Sequence, residues 1–194
     1  MPSVAASGAS PAPLVPYLPS DIGFLQTTLD PAVLNNSATL TAGQILLAKI
    51  PIRQGITISN LYWAVNAAGT GGSTGSFTGL YSAAGVLLSQ DAADIGAGLV
   101  GPGWAGPFPL GAPQAFPNAL PESAWPWAAL LTNFVTTQVS MSRANGAGGA
   151  GYPNGLLTAA NLRFASAGAG LAALPASLTP SGFTAQFGLC CGIT

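Results

Sequence analysis

The sequence predicts an all-β chain: a single antiparallel β-sandwich of jelly-roll type over residues 21–194, preceded by an extended proline-rich arm over residues 1–20. Three observations predict it. Short runs of apolar residues recur at period two, glycine-rich turns separate them, and no stretch sustains the 3.6-residue period of a helix. A chain of 194 residues with 26 glycines and 17 prolines has the punctuation of many short strands, and it is long enough for one domain with a full core. No internal repeat is visible.

The arm comes first. Met1 to Ser20, MPSVAASGASPAPLVPYLPS, carries Pro2, Pro11, Pro13, Pro16 and Pro19, which deny it both a helix and an interior strand and favour an extended, polyproline-like course. Its apolar cluster Leu14, Val15, Tyr17 and Leu18 has little use in a solvated linker and reads as a docking segment for a neighbouring protein. Asp21 to Leu40 is open between two readings, a strand begun by Ile22, Phe24 and Leu25, or a short helix with Asp30 as cap and Pro31 at its first position. Ala42-Gly43 reads as a turn, and Gln44 to Ile52 (QILLAKIPI) as a strand in which Pro51 marks an edge or a strand end.

The clearest elements lie between Gly55 and Gln90. Ile56 to Val65 alternates, and its apolar parity changes near Asn60, which predicts either a bulge or a strand covered on both faces. Ala67 to Ser76, AAGTGGSTGS, is too small and flexible to order itself and is expected to be an exposed connection. Phe77 to Tyr81, the turn Ser82-Ala83-Ala84-Gly85 and Val86 to Gln90 form a hairpin. Ala92 to Pro121 is expected to be a long ordered loop, with one extended piece near Trp104 to Leu110 and no helix across its six prolines. Trp125 to Val139 favours strand, with a turn at Thr132-Asn133. Ala144 to Gly155 reads as a flexible loop, Ala159 to Ala165 as a short strand, Leu171 to Thr179 as holding a helical turn halted by Pro175, and Phe183 to Leu189 as the closing strand.

The hairpin F-T-G-L-Y-S-A-A-G-V-L-L-S-Q, residues 77–90, resembles the G-L-Y-(small)-x-x-G-x-L-L-(A/S)-x hairpin of β-sandwich virion proteins from bacteriophages infecting actinobacteria: minor tail, fibre and head-decoration proteins. Trp125 to Phe134 is similar to that family's later Y-Y-V-G-L-L-V strand. Leu171 to Leu178, LAALPASL, resembles its G-L-x-x-L-P-x-S-L segment. The resemblance spans roughly residues 40–190, a domain-sized stretch. The family reaches its later strand through Pro-Gly or Ala-Gly, whereas here Pro121-Glu122-Ser123-Ala124 precedes it. The resemblance implies a non-enzymatic virion protein, displayed on the particle surface and assembled as a homo-oligomer, a trimer. It implies a minor tail or fibre role, with contact to a host cell-surface glycan as one use. Two alternatives stand beside it, a capsid decoration protein that stabilises the shell and, from another class, a carbohydrate-binding module.

Composition bounds the chemistry. Lys49, Arg53, Arg143 and Arg163 face Asp21, Asp30, Asp91, Asp94 and Glu122, only 5% of the chain, with no histidine. About 25% is usual, so the surface reads either as one that neighbouring copies cover or as the drift of a sequence rich in alanine, glycine and proline. Four basic residues scattered along the chain give nucleic acid no expected grip. Apolar runs broken by glycine and proline predict no membrane insertion. Residues 1–19 lack the basic and apolar regions of a secretory signal, so export by that route is not expected; the resemblance implies the virion as the location, after synthesis in the host cytoplasm. Without histidine there is no Ser-His-Asp or Cys-His site and no His-bound zinc, and no catalytic residue, cofactor or metal is expected. A carboxylate pair drawn from Asp91, Asp94 and Glu122 is the one enzymatic arrangement left, and Asp91 with Asp94 supplies too few ligands for calcium. Gly69 to Gly75 lacks the lysine and helix of a phosphate cradle. Adjacent Cys190 and Cys191 read as reduced strand residues pointing to opposite faces. Trp125 and Trp127, two apart, share a face if extended; with Trp104 they form the candidate recognition surface, which Trp63, Tyr62, Tyr81 and Tyr152 could join. The competing reading packs them in the core or a subunit interface.

Overall fold

The computed structural model describes residues 18–144, 154 and 157–194. They form an antiparallel β-sandwich of two sheets joined by loops and short 3₁₀ turns. The strands are β1 (Gln26–Thr27), β2 (Leu34–Thr39), β3 (Ile45–Lys49), β4 (Ile56–Ala67), β5 (Phe77–Tyr81), β6 (Leu87–Gln90), β7 (Gly103–Phe116), β8 (Trp127–Leu131), β9 (Ser140–Ala144), β10 (Phe164–Ala167), β11 (Thr184–Ala185) and β12 (Cys191–Ile193). One sheet runs β1-β12-β4-β9-β2, with β7 on the other side of β4, and the second runs β11-β10-β3-β8-β5-β6. Of the extended arm expected over residues 1–20, residues 1–17 lie outside the described residues, as does most of the loop expected at 144–155; the arm's last residues enter a 3₁₀ turn, Pro19–Ile22, instead of staying extended.

Burial explains why the strands differ in pattern. Between the sheets, Ile58, Leu61, Trp63 and Val65 of β4 meet Leu46 and Ala48 of β3, Leu80 of β5, and Ala128 and Leu130 of β8. The far face of the second sheet is covered too: Ile45, Leu47, Tyr81, Trp127, Ala129 and Leu131 pack under Leu162, Leu174 and Phe183. β3 and β8 are therefore buried on both faces and read as near-continuous apolar runs, ILLA before Lys49 and WAALL, as strands covered on both sides do.

The parity change in β4 is a bulge. Ile58 pairs with Gln114 and Asn60 with Pro109, so residues 110–113 of β7 stand opposite Ser59 alone, and a second shift falls between Leu61 and Trp63. The β5–β6 hairpin forms as expected, with Gly85 at φ +84° closing its turn by a bond from Gly85 N–H to Ser82 O. Asp30 caps a 3₁₀ turn, Pro31–Val33, its carboxylate accepting from Ala32 N–H at 2.9 Å.

Several expectations are corrected. β7 runs through 14 residues where one short extended piece was expected. Among the described residues it pairs with β4 alone, and on such an edge Pro107, Pro109 and Pro113 are tolerated because a missing N–H can face outward. The glycine-rich connection is exposed over most of its length, as expected, but it is also tied down: Thr70 bridges Thr137, Ser73 bridges Phe134, and Ser76 is buried. The run from Trp125 to Val139 holds one strand, β8, followed by a loop tied by those same bridges, and the next strand, β9, begins only at Ser140. Residues 159–161 form a 3₁₀ turn and the strand begins later, at Phe164. Residues 171–179 are irregular and hold no helical turn. Phe183 to Leu189 is not the closing strand. Thr184–Ala185 pairs with β10, Leu189 makes a single bridge to Arg143 of β9, and the chain has by then crossed to the other sheet, where β12 closes the fold between β1 and β4.

Candidate functional site

The arm enters the sandwich at Leu18. Leu14, Val15 and Tyr17 lie outside the described residues. Leu18 is 52% exposed, its N–H donates to the Asp21 carboxylate at 3.0 Å, and a 3₁₀ turn, Pro19–Ile22, follows. A groove of about 420 Å³ opens there, lined in part by Leu18, Phe24, Leu25 and Ile56, so the first described residues sit on an apolar floor.

The three tryptophans are not brought together. Trp127 is wholly buried, with the Phe183 ring edge-on at 5.3 Å and the Lys49 ammonium 4.9 Å from its ring centroid. Trp125 belongs to the opposite side. It ends the 3₁₀ turn Glu122–Ala124 instead of starting β8, donates its indole N–H back to Leu120 O at 3.0 Å, and packs at the rim of the inter-sheet core. That turn breaks the alternation on which a shared face depended. Trp104 joins a different set, where Phe24 contacts Trp104 at 4.5 Å and Tyr62 at 5.0 Å, both edge-on. The Phe24 ring lies where a side chain at residue 192 would stand, 2.9 Å from a Cβ built on Gly192. Trp63 and Tyr81 are core residues, and Tyr152 lies outside the described residues.

Scattered in sequence, three of the four basic residues converge in space. A cleft of about 390 Å³ is lined by Lys49 at the end of β3, Arg53 beyond it, Arg163 before β10, Trp125, Gln26 and Thr28, among others. It adjoins the apolar groove, and Pro19, Gln26, Pro51 and Arg53 line both. Lys49 is 4% exposed and its ammonium donates to Ala160 O at 3.1 Å. Burial lowers its proton affinity, the Glu122 carboxylate raises it, and Arg163 lowers it further. Arg163 Nε holds Glu122 Oε1 at 2.9 Å in an exposed ion pair. Arg53 has no ion-pair partner among the described residues. Sequence reasoning missed this cleft because its walls come from residues 26–30, 49–53, 125 and 163.

The candidate acids are dispersed. Asp91 accepts from Ala93 N–H, and Asp94 from Ser73 Oγ, Ser76 N–H and Gly96 N–H, all near the end of β8 where Phe77 faces Leu131. Glu122 lies with Arg163 at the other end, where Lys49 faces Trp127. Among the described residues no three His, Cys, Asp or Glu side chains group as metal ligands, and no helix is long and apolar enough to cross a membrane. Cys190 and Cys191 are free and buried. Compared with known proteins, the chain matches no family model and no curated protein.

Proposed function

We propose that this chain is a non-enzymatic structural protein of a bacteriophage virion, a tail or fibre subunit held by its arm and displaying the sandwich at the particle surface. The observation that carries the reading is the pairing of a two-sheet sandwich with a surface that suits neighbours better than water. Nine charged residues serve the whole chain, while Leu18, Leu25, Val33, Val86, Val100 and Val135 stand exposed. Isolated exposed apolar residues are ordinary; with so few charges between them they favour a subunit that other copies or other virion proteins cover. The resemblance of residues 77–90 to phage virion proteins supports the particle, and the β5–β6 hairpin is the element those residues form. A homotrimer follows from the same resemblance.

The test is localisation. With the chain labelled in intact particles and imaged, signal confined to the tail or its tip is expected. Signal spread over the head would replace this reading with a decoration protein that stabilises the shell, and absence from particles would end the virion reading altogether.

A further inference from the structure

The cleft beneath the arm root carries an inference that goes beyond a structural role. Its charge is unbalanced. Lys49, Arg53 and Arg163 face Asp30, which lines the cleft, and Glu122, which Arg163 already holds, leaving one surplus positive charge in a chain whose formal net charge is −1. Lys49 is buried, its ammonium donating to Ala160 O and standing 4.9 Å from the Trp127 ring centroid, so it adds positive charge to the wall of the cleft and leaves direct contact to Arg53. Arg53, exposed, offers a planar fork that fits a carboxylate. Beside these cations the cleft has the half-buried indole of Trp125 and the side-chain amide of Gln26. The Thr28 hydroxyl is committed elsewhere, donating to Leu189 O and accepting from Cys191 N–H. An aromatic plane, an amide and a surplus cation within about 390 Å³ lie in the size range of small-ligand sites, about 300–1,000 Å³.

We propose that this cleft binds a carboxylated sugar residue of the uronic-acid type, its carboxylate held by Arg53 with Lys49 adding positive charge from the wall, and its ring set against Trp125, with Gln26 on a hydroxyl. A sugar fits the cleft better than an acidic peptide because one carboxylate per ring matches one surplus charge and an apolar ring face matches an indole. The site stands on the cleft alone and does not depend on where the protein resides.

Calorimetric titration of the full chain at low ionic strength tests it with three probes: trigalacturonate, the neutral trisaccharide of the same linkage with hydroxymethyl in place of carboxylate, and a capped tri-glutamate peptide. Saturable binding of trigalacturonate is expected, with the neutral sugar and the peptide each about tenfold weaker or worse. Arg53→Gln should weaken the acidic sugar about tenfold with an unchanged melting temperature, since its side chain is exposed and the loss is one charged contact. Trp125→Leu, its fold checked by melting, should weaken both sugars and leave the peptide unmoved. Equal binding of acidic and neutral sugar, tighter binding of the peptide, an Arg53→Gln chain that binds like the parent, or no saturable binding of trigalacturonate would each overturn the proposal.

Discussion

Trp63 puts an indole N–H in the middle of an apolar core, and the fold answers with a relay. Trp63 Nε1 donates to Thr78 Oγ1 at 2.9 Å, and Thr78 Oγ1 donates to Ala129 O at 2.8 Å, so a side chain of the first sheet is tied through β5 to the backbone of β8 in the second. Buried polar groups are tolerated when every member has a partner, and removing the middle member orphans the donor above it. Thr78→Val keeps the shape and removes the hydroxyl; it should cost about 1–3 kcal/mol in unfolding free energy, read from urea midpoints. Adding Trp63→Phe in a double-mutant cycle should expose a coupling of about 1 kcal/mol; an additive cycle would mean that the relay contributes nothing. The cysteines show the opposite use of burial. Burial pushes the Cys190 thiol up to about 12, against a bond to Leu29 O and with Asp30 adding to the rise, and holds Cys191 well above the usual range. Thiolates are the reactive form, so at neutral pH both residues act as small core side chains.

At the scale of elements, what was legible was local. Alternation in β4, the glycine at φ +84° in the β5–β6 turn and the Asp30-Pro31 cap are each written within a few residues. What was not legible depends on neighbours far along the chain. Prolines in β7 argue against a strand until β7 is known to lie on an edge, and nothing near residue 184 reveals that the closing strand belongs to the other sheet. Trp125 and Trp127 looked like one face because the 3₁₀ turn before β8 leaves no strong mark in Glu122-Ser123-Ala124. The glycine-rich connection is similar, since the residue that orders it, Asp94, is 18 positions beyond Ser76. Burial alone would raise the Asp94 carboxyl, but bonds from Gly96 N–H, Ser73 Oγ, Ser76 N–H and Gly75 N–H outweigh it and hold the group below the usual carboxylate range. A lowered folded-state value stabilises above the unfolded value of about 3.9 and is lost as pH falls through the folded one. Asp94→Asn should therefore destabilise by about 1 kcal/mol at neutral pH, a modest sum because water replaces part of the lost bonding. The gap between parent and variant should hold down to the unfolded pKa, about 4, and close below it; a gap that persists at lower pH would assign the loss to geometry instead of charge.

At the scale of the whole molecule, the sandwich is complete in its core and sparsely charged outside it. Both faces of the second sheet are sealed by its own chain, so the fold does not need a partner to bury β3 and β8. The docking proposed for the arm concerns its root. There Leu18 and Leu25 stand exposed over an apolar groove, and the segment leading into it carries Leu14, Val15 and Tyr17. An arm that holds the subunit to a particle by apolar contact is disabled by charge, because a carboxylate buried without a partner costs several kcal/mol after relaxation, far more than the loss of one exposed leucine. The variant carrying both Leu14→Asp and Tyr17→Asp changes nothing within the described sandwich, so its melting temperature and far-ultraviolet circular dichroism should match the parent. Its incorporation into particles should be abolished, measured as the ratio of this chain to another virion protein in purified particles. The single Ser181→Asp, at an exposed position outside the groove, adds charge without entering the apolar cluster and should incorporate normally. Normal incorporation of the double variant would remove the docking arm, whereas loss of both variants would make added negative charge, instead of apolar docking, the cause.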